Sequence, residues 1–318
     1  MNVIHSLVTR ELQEHKAGFL WLPIGSLCFL ILLMVGFLSL TNINIDMQVK
    51  TSSKHGDVSV ARTLEEELSA TGLLSKALNT IEEMPDQSKT RFFAAFRAAS
   101  GYLFHSLFIF VAVFYLANTL FDERVDRSIL FWKSMPTSDW QAVLSKFLTI
   151  WIVVPAVYIM AIAASQLALL LIISITGLFA NTPVSGLWLN SGLVEGWLHL
   201  ILGYLIQGLW MLPLYGWLLL ISAWSNRNPI LVATLAPVIP IMLEGTLFQS
   251  RYLLDWISTH LHIVAMPAFA NTGESSMETT SVADTLAVAV QAEFYFGVLV
   301  GSLLIAGAIW FRRQKNEI

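Results

Sequence analysis

Charge and cysteine are the scarce materials in this chain. Only 13% of its 318 residues are Asp, Glu, Lys or Arg, whereas a soluble domain carries about a quarter. A surface that poor in charge belongs to a protein that meets lipid over much of its area. The single cysteine, Cys28, lies inside an apolar run, which excludes an intrachain disulfide and any cysteine-built metal or redox centre. The formal net charge is -4, and no basic arm occurs, so nothing recommends nucleic acid as a partner. No Gly-x-x-x-x-Gly-Lys-Ser/Thr loop is present to cradle nucleotide phosphates. His-Glu-x-x-His and Gly-x-Ser-x-Gly are missing too, so hydrolysis inside the membrane has no support.

What the chain has in quantity is hydrophobic sequence, 56% of all residues. It falls into six runs, predicted as transmembrane helices over 19–40, 102–121, 147–175, 199–223, 229–248 and 292–311. At ~1.5 Å per residue, about 20 residues cover the ~30 Å hydrocarbon core. The first run is too long for the core of a cleavable signal and is expected to stay as an anchor. Residues 1–16 place Val3, Ile4, Leu7, Val8 and Leu12 against Arg10, Glu11, Glu14 and Lys16, the pattern of an interfacial helix. Residues 41–100 form the long polar insertion, read as a small outer helical subdomain, and 249–291 form a second outer segment. The fold class expected is therefore an all-α, polytopic membrane protein with six transmembrane helices.

Basic residues orient it. Connections that would face the cytoplasm with the N-terminus inside include Arg124, Arg127, Lys133, Lys146, Arg227 and Arg312, whereas the two shorter outer connections hold only Arg251. Positive charge stays inside, so both termini are expected to be cytoplasmic.

The densest chemistry lies in 122–146, between the second and third runs. Ile129, Leu130, Phe131, Trp132 and Met135 are interleaved with Arg124, Arg127 and Lys133, which predicts a short amphipathic helix. Pro136 and Thr137-Ser138-Asp139 then mark a break and a new helix start, with Ser138 or Thr137 as cap. Glu123-Arg124, Arg127-Ser128-Ile129-Leu130, Lys133-Ser134-Met135-Pro136 and the later Lys146 resemble the cytoplasmic loop between the second and third helices of ABC-2 type exporter permeases. Arg127 stands where that family's pattern has glycine. The resemblance implies a coupling helix docking on a separate P-loop ATP-binding subunit, with Glu123, Arg124, Asp126, Arg127, Ser128, Phe131, Trp132, Met135 and Pro136 as the interface. It also implies a homodimer of permeases in a bacterial inner membrane. No cofactor is expected in this chain; ATP and Mg would sit on the partner. The alternative is a membrane-embedded assembly or sensory protein acting through residues 41–100 without a transport cycle.

Polar residues inside the runs are the remaining candidates. Glu244, near the outer end of the fifth run, has to face protein or a cavity rather than lipid. It is the sharpest candidate for a translocation path, followed by Gln207 and Gln166, whose ordinary role is an interhelical hydrogen bond. His260 and His262 fall on different helix faces, which disfavours a metal site. The other histidines, His105 among them, are assigned to surface or interface positions, and Trp210, Tyr215 and Trp217 to packing.

Overall fold

The computed structural model describes residues 3–36, 85–135, 137–179, 185–261, 264 and 282–315. Every element among them is helical. The amphipathic α1 (Val3–Glu14) leads into α2 (Ala17–Gly36). Then come α3 (Asp86–Val125), the short α4 (Ser128–Ser134) and α5 (Asp139–Leu178). The rest are α6 (Ser185–Asn190), α7 (Leu193–Trp210), α8 (Leu212–Trp224), α9 (Pro229–Phe248), α10 (Tyr252–Leu261), α11 (Val282–Val288) and α12 (Ala292–Gln314). Among the described residues, six helical segments are long and apolar enough to cross a membrane, and the chain is a multi-pass membrane protein. Most of the 41–100 subdomain, and residues 262–263 and 265–281 of the second outer segment, lie outside the described residues.

The structure extends the runs and breaks some of them. Helix α3 starts directly after Pro85 and continues for 40 residues, at ~1.5 Å each about twice the hydrocarbon thickness. The fourth crossing, expected as one helix over 199–223, is two. Helices α7 and α8 meet at Met211, because Pro213 cannot donate to the turn before it. Helix α5 widens into a π turn at Thr149–Val153, just ahead of Pro155, which relieves the same clash without breaking the helix. Helix α9, where Pro237 and Pro240 predict a bend, is interrupted at Pro237.

The core lies where α3, α5, α7 and α8 meet. Phe108 sits edge-on to Tyr158 and Tyr204, at 5.7 Å in each case. Phe19 from α2 packs edge-on against Tyr115 at 5.0 Å. Helices α8 and α12 make the tightest pair, because a Cβ on Gly216 would lie 2.6 Å from the Gly301 carbonyl oxygen. In contrast, α9 keeps most of its surface outward, with Leu231, Leu235, Ile239, Met242 and Leu247 exposed to what would be lipid.

Side-chain contacts fix the ends of the bundle. Arg10 of α1, Glu123 at the end of α3, Lys146 near the start of α5 and Arg312 at the end of α12 all meet at one end. Both described chain ends therefore lie on the same side.

Candidate functional site

The charged end of the bundle is built around two buried carboxylates. Glu11 of α1 accepts from Lys146 Nζ at 2.8 Å, from Arg10 at 2.6 Å and from the Tyr115 hydroxyl at 2.7 Å. Glu123 of α3 faces Lys146 at 3.0 Å, Arg312 at 3.1 Å and Arg10 at 3.3 Å. Lys146 also donates to Thr119, and Arg312 reaches Asp139, the first residue of α5. Three carboxylates thus face three cations, and four elements are tied together through side chains at most one-fifth exposed. Unpaired, any of these charges would be far too costly to bury; paired, they fix how the helix ends fit together.

Glu11 shows the electrostatic balance. Burial alone would raise its carboxyl, but Lys146 and Arg10 beside it, with hydrogen bonds from Lys146 and Tyr115, outweigh that and hold it at about 2. Burial pushes the neighbouring His15 imidazole below its ordinary value, against the pull of Glu11. Glu11, Glu14 and His15 each bring a ligand atom within 4.8 Å of the others. Lys146 and Arg10 already neutralise Glu11, so this cluster is an ion-pair site rather than a cation site.

Helix α4 lies beside this network. Its inner residue, Ile129, is buried, while Leu130, Phe131 and Met135 are exposed, Phe131 to 58%. Trp132 is half-buried beneath the Arg10 guanidinium, 3.8 Å from the ring centre, and joins α4 to α1. Lys133 donates to the carbonyl of Arg313, so the end of α12 is joined too. The turn before α4 is made by Arg127 with φ at 61°, in the left-handed region that favours glycine. Its backbone therefore has the shape a glycine would adopt, and Arg127 takes it at a cost. Asp126 accepts the Ser128 amide and closes the turn. Ser138 is the N-cap of α5, its own amide donating to the Gln141 side chain.

Not all of the predicted interface faces outward. Glu123 and Arg124 are both buried, Glu123 in the ion network and Arg124 donating to the carbonyls of Ser222 at 2.9 Å and Ser225 at 2.6 Å. They position α4 from within and offer no charge to an outside surface in this conformation. Asp126, Arg127, Phe131 and Met135 remain accessible, whereas Pro136 lies outside the described residues.

The translocation candidates are not brought together. Glu244 accepts from Ser250 Oγ at 2.8 Å and from the amides of Tyr252 and Leu253 at 2.7 and 2.9 Å. It caps the start of α10. Gln166 bridges Ser100 on α3 and the indole of Trp197 on α7, and Gln207 accepts the Val264 amide. Each is an interhelical or helix-to-segment tie. His105, read as a surface or interface residue, is 1% exposed and lies edge-on to Tyr204. His262 lies outside the described residues.

Sequence reasoning missed the ion network as a unit. Glu11 was assigned to a solvent face, yet it and Leu7 form the buried stripe of α1. The available signal was opposite charge within a turn or two of the ends of several apolar runs, all on one side. No protein-family model matches this chain, and no curated protein or solved structure matches it significantly.

Proposed function

We propose that this chain is the membrane permease subunit of an ATP-driven exporter of the ABC-2 type. It works as a homodimer in a bacterial inner membrane, with both termini cytoplasmic, and binds a separate P-loop subunit that carries ATP and Mg. The observation that supports this most is α4. A seven-residue helix between two crossings presents Leu130, Phe131 and Met135 outward, while its other side is fastened to the bundle.

A partner moves a bundle only by binding one of its conformations better than another. Helix α4 is suited to feel that difference because its attachments lead to several elements at once. Trp132 contacts Arg10, Arg10 contacts Glu11 and Glu123, and Glu123 contacts Arg312. Displacement of α4 is thereby passed to α1, α3, α5 and α12 together. Exposed Phe131 and Met135 would fill a pocket on the ATPase, and Asp126 and Arg127 would set register at its rim.

The test is purification from native membranes in mild detergent, with partners identified and counted. One P-loop ATPase per chain, lost when Phe131 and Met135 are both changed to Ala, is the expected result. A chain that comes down alone, or with partners held through residues 41–100, would remove the reading and favour the assembly or sensory alternative.

A further inference from the structure

A cleft of about 530 Å³ opens between α3 and α9 close to the charged end. Its wall is apolar along Phe121, Leu231 and Leu235, with Asn118, Asn228 and Thr234 as polar points. The turn that bounds it is basic, although the exposed Asp122 follows Phe121 on the α3 wall. Arg124 lies behind Phe121, its guanidinium carbon 5.8 Å from the ring centre. Lys315 donates to the Trp224 carbonyl at 2.7 Å and to Asn226 at 3.3 Å, and Arg227 is exposed on the same turn.

Some of this charge serves α8. The carbonyls of Ser222, Trp224 and Ser225 at its end receive Arg124 and Lys315. That role does not use up the donors: Arg124 is 2% exposed, yet its Nε and Nη1 have no hydrogen-bond partner. Nor does a carboxylate pair with Arg124, Arg227 or Lys315 among the described residues, although every cation of the nearby ion network has one. Burial depresses the Lys315 amine, and Arg124 depresses it further.

We infer that this cleft binds an anionic phospholipid, its phosphate against the Arg227–Lys315 turn and an acyl chain along Phe121, Leu231 and Leu235. Arg227 and Lys315 supply the headgroup preference, and the lipid-facing groove supplies the chain contact. Basic pockets between membrane helices suit such headgroups, and each cation near an anionic lipid contributes about a factor of five.

Native mass spectrometry and melting of the purified full chain test this, with phosphatidylglycerol, phosphatidylcholine and inorganic phosphate as separate probes. Phosphatidylglycerol should be retained and raise the melting temperature more than the other two. Arg227→Ala with Lys315→Ala should weaken its retention by roughly 25-fold. Leu231→Trp, which fills the groove without touching charge, should do the same while melting normally in phosphatidylcholine. Equal retention of phosphatidylcholine, an equal shift with phosphate alone, or full retention in both variants would overturn the assignment. So would disulfide cross-linking between Leu231→Cys positions of two chains, since a second copy would then fill the cleft.

Discussion

Glu11 joins α1 to α3 and α5 through Tyr115 and Lys146. Its carboxyl is held at about 2, below its unfolded value, so the stability it contributes is complete above about pH 4.5 and is lost as pH falls toward 2. The full depression corresponds to about 3 kcal/mol. Glu11→Gln should cost a similar amount, about 3 kcal/mol, because Lys146 and Arg10 each lose a buried partner. Melting in detergent at pH 7 and pH 3 checks both. The wild-type midpoint should fall toward that of the variant at low pH, and a constant gap would contradict the assignment. The importance of Glu11 was not legible in the sequence. Periodicity reports local faces, and its main partner, Lys146, lies 135 positions away. Glu123 and Lys146 were visible as charges flanking the loop, but nothing local showed that they point at each other. Glu244 was legible as unusual, yet its partners at Ser250, Tyr252 and Leu253 lie past the end of its helix.

At the scale of elements, apolar length was a good guide. Runs of about 20 residues must become helices in lipid, where every backbone group needs an internal partner. Pro213 and Pro237 predict bends, and the structure breaks the helices there, before α8 and within α9; the length of α3 was not evident, since its first turns are polar. The close crossing of α8 and α12 depends on glycine: a Cβ on Gly301 would lie 2.7 Å from the Leu212 carbonyl oxygen. Gly301→Ala should therefore separate the two helices and cost about 2 kcal/mol, measured as a lower midpoint in detergent. Helix α4 permits a cleaner separation of roles. Phe131→Ala should change stability by less than about 0.5 kcal/mol, since its ring is exposed, and should abolish partner binding. Trp132→Ala should lose both the partner and about 1 kcal/mol from its contact with Arg10. A stability loss confined to Phe131→Ala would reverse the roles assigned to the two rings.

For the molecule as a whole, the arrangement of charge is the organising fact. An ion network ties α1, α3, α5 and α12 at one end, whereas the opposite end is held by separate contacts, among them Trp197 to Gln166 at 2.9 Å, Arg97 to the Ser191 carbonyl and Lys89 to Asp86 at 3.9 Å. Such asymmetry implies one orientation. With Cys28 replaced by Ser, a cysteine at exposed Leu189 should react with an impermeant maleimide in intact cells. One at Asn226 should react only after lysis, and the reverse pattern would invert the topology. The central claim is that α4 docks on an ATPase, and a photo-reactive amino acid at Phe131, irradiated in native membranes, tests it most directly. A covalent product containing a P-loop ATPase is the result expected; cross-links to lipid alone, with none to any ATPase, would contradict the account.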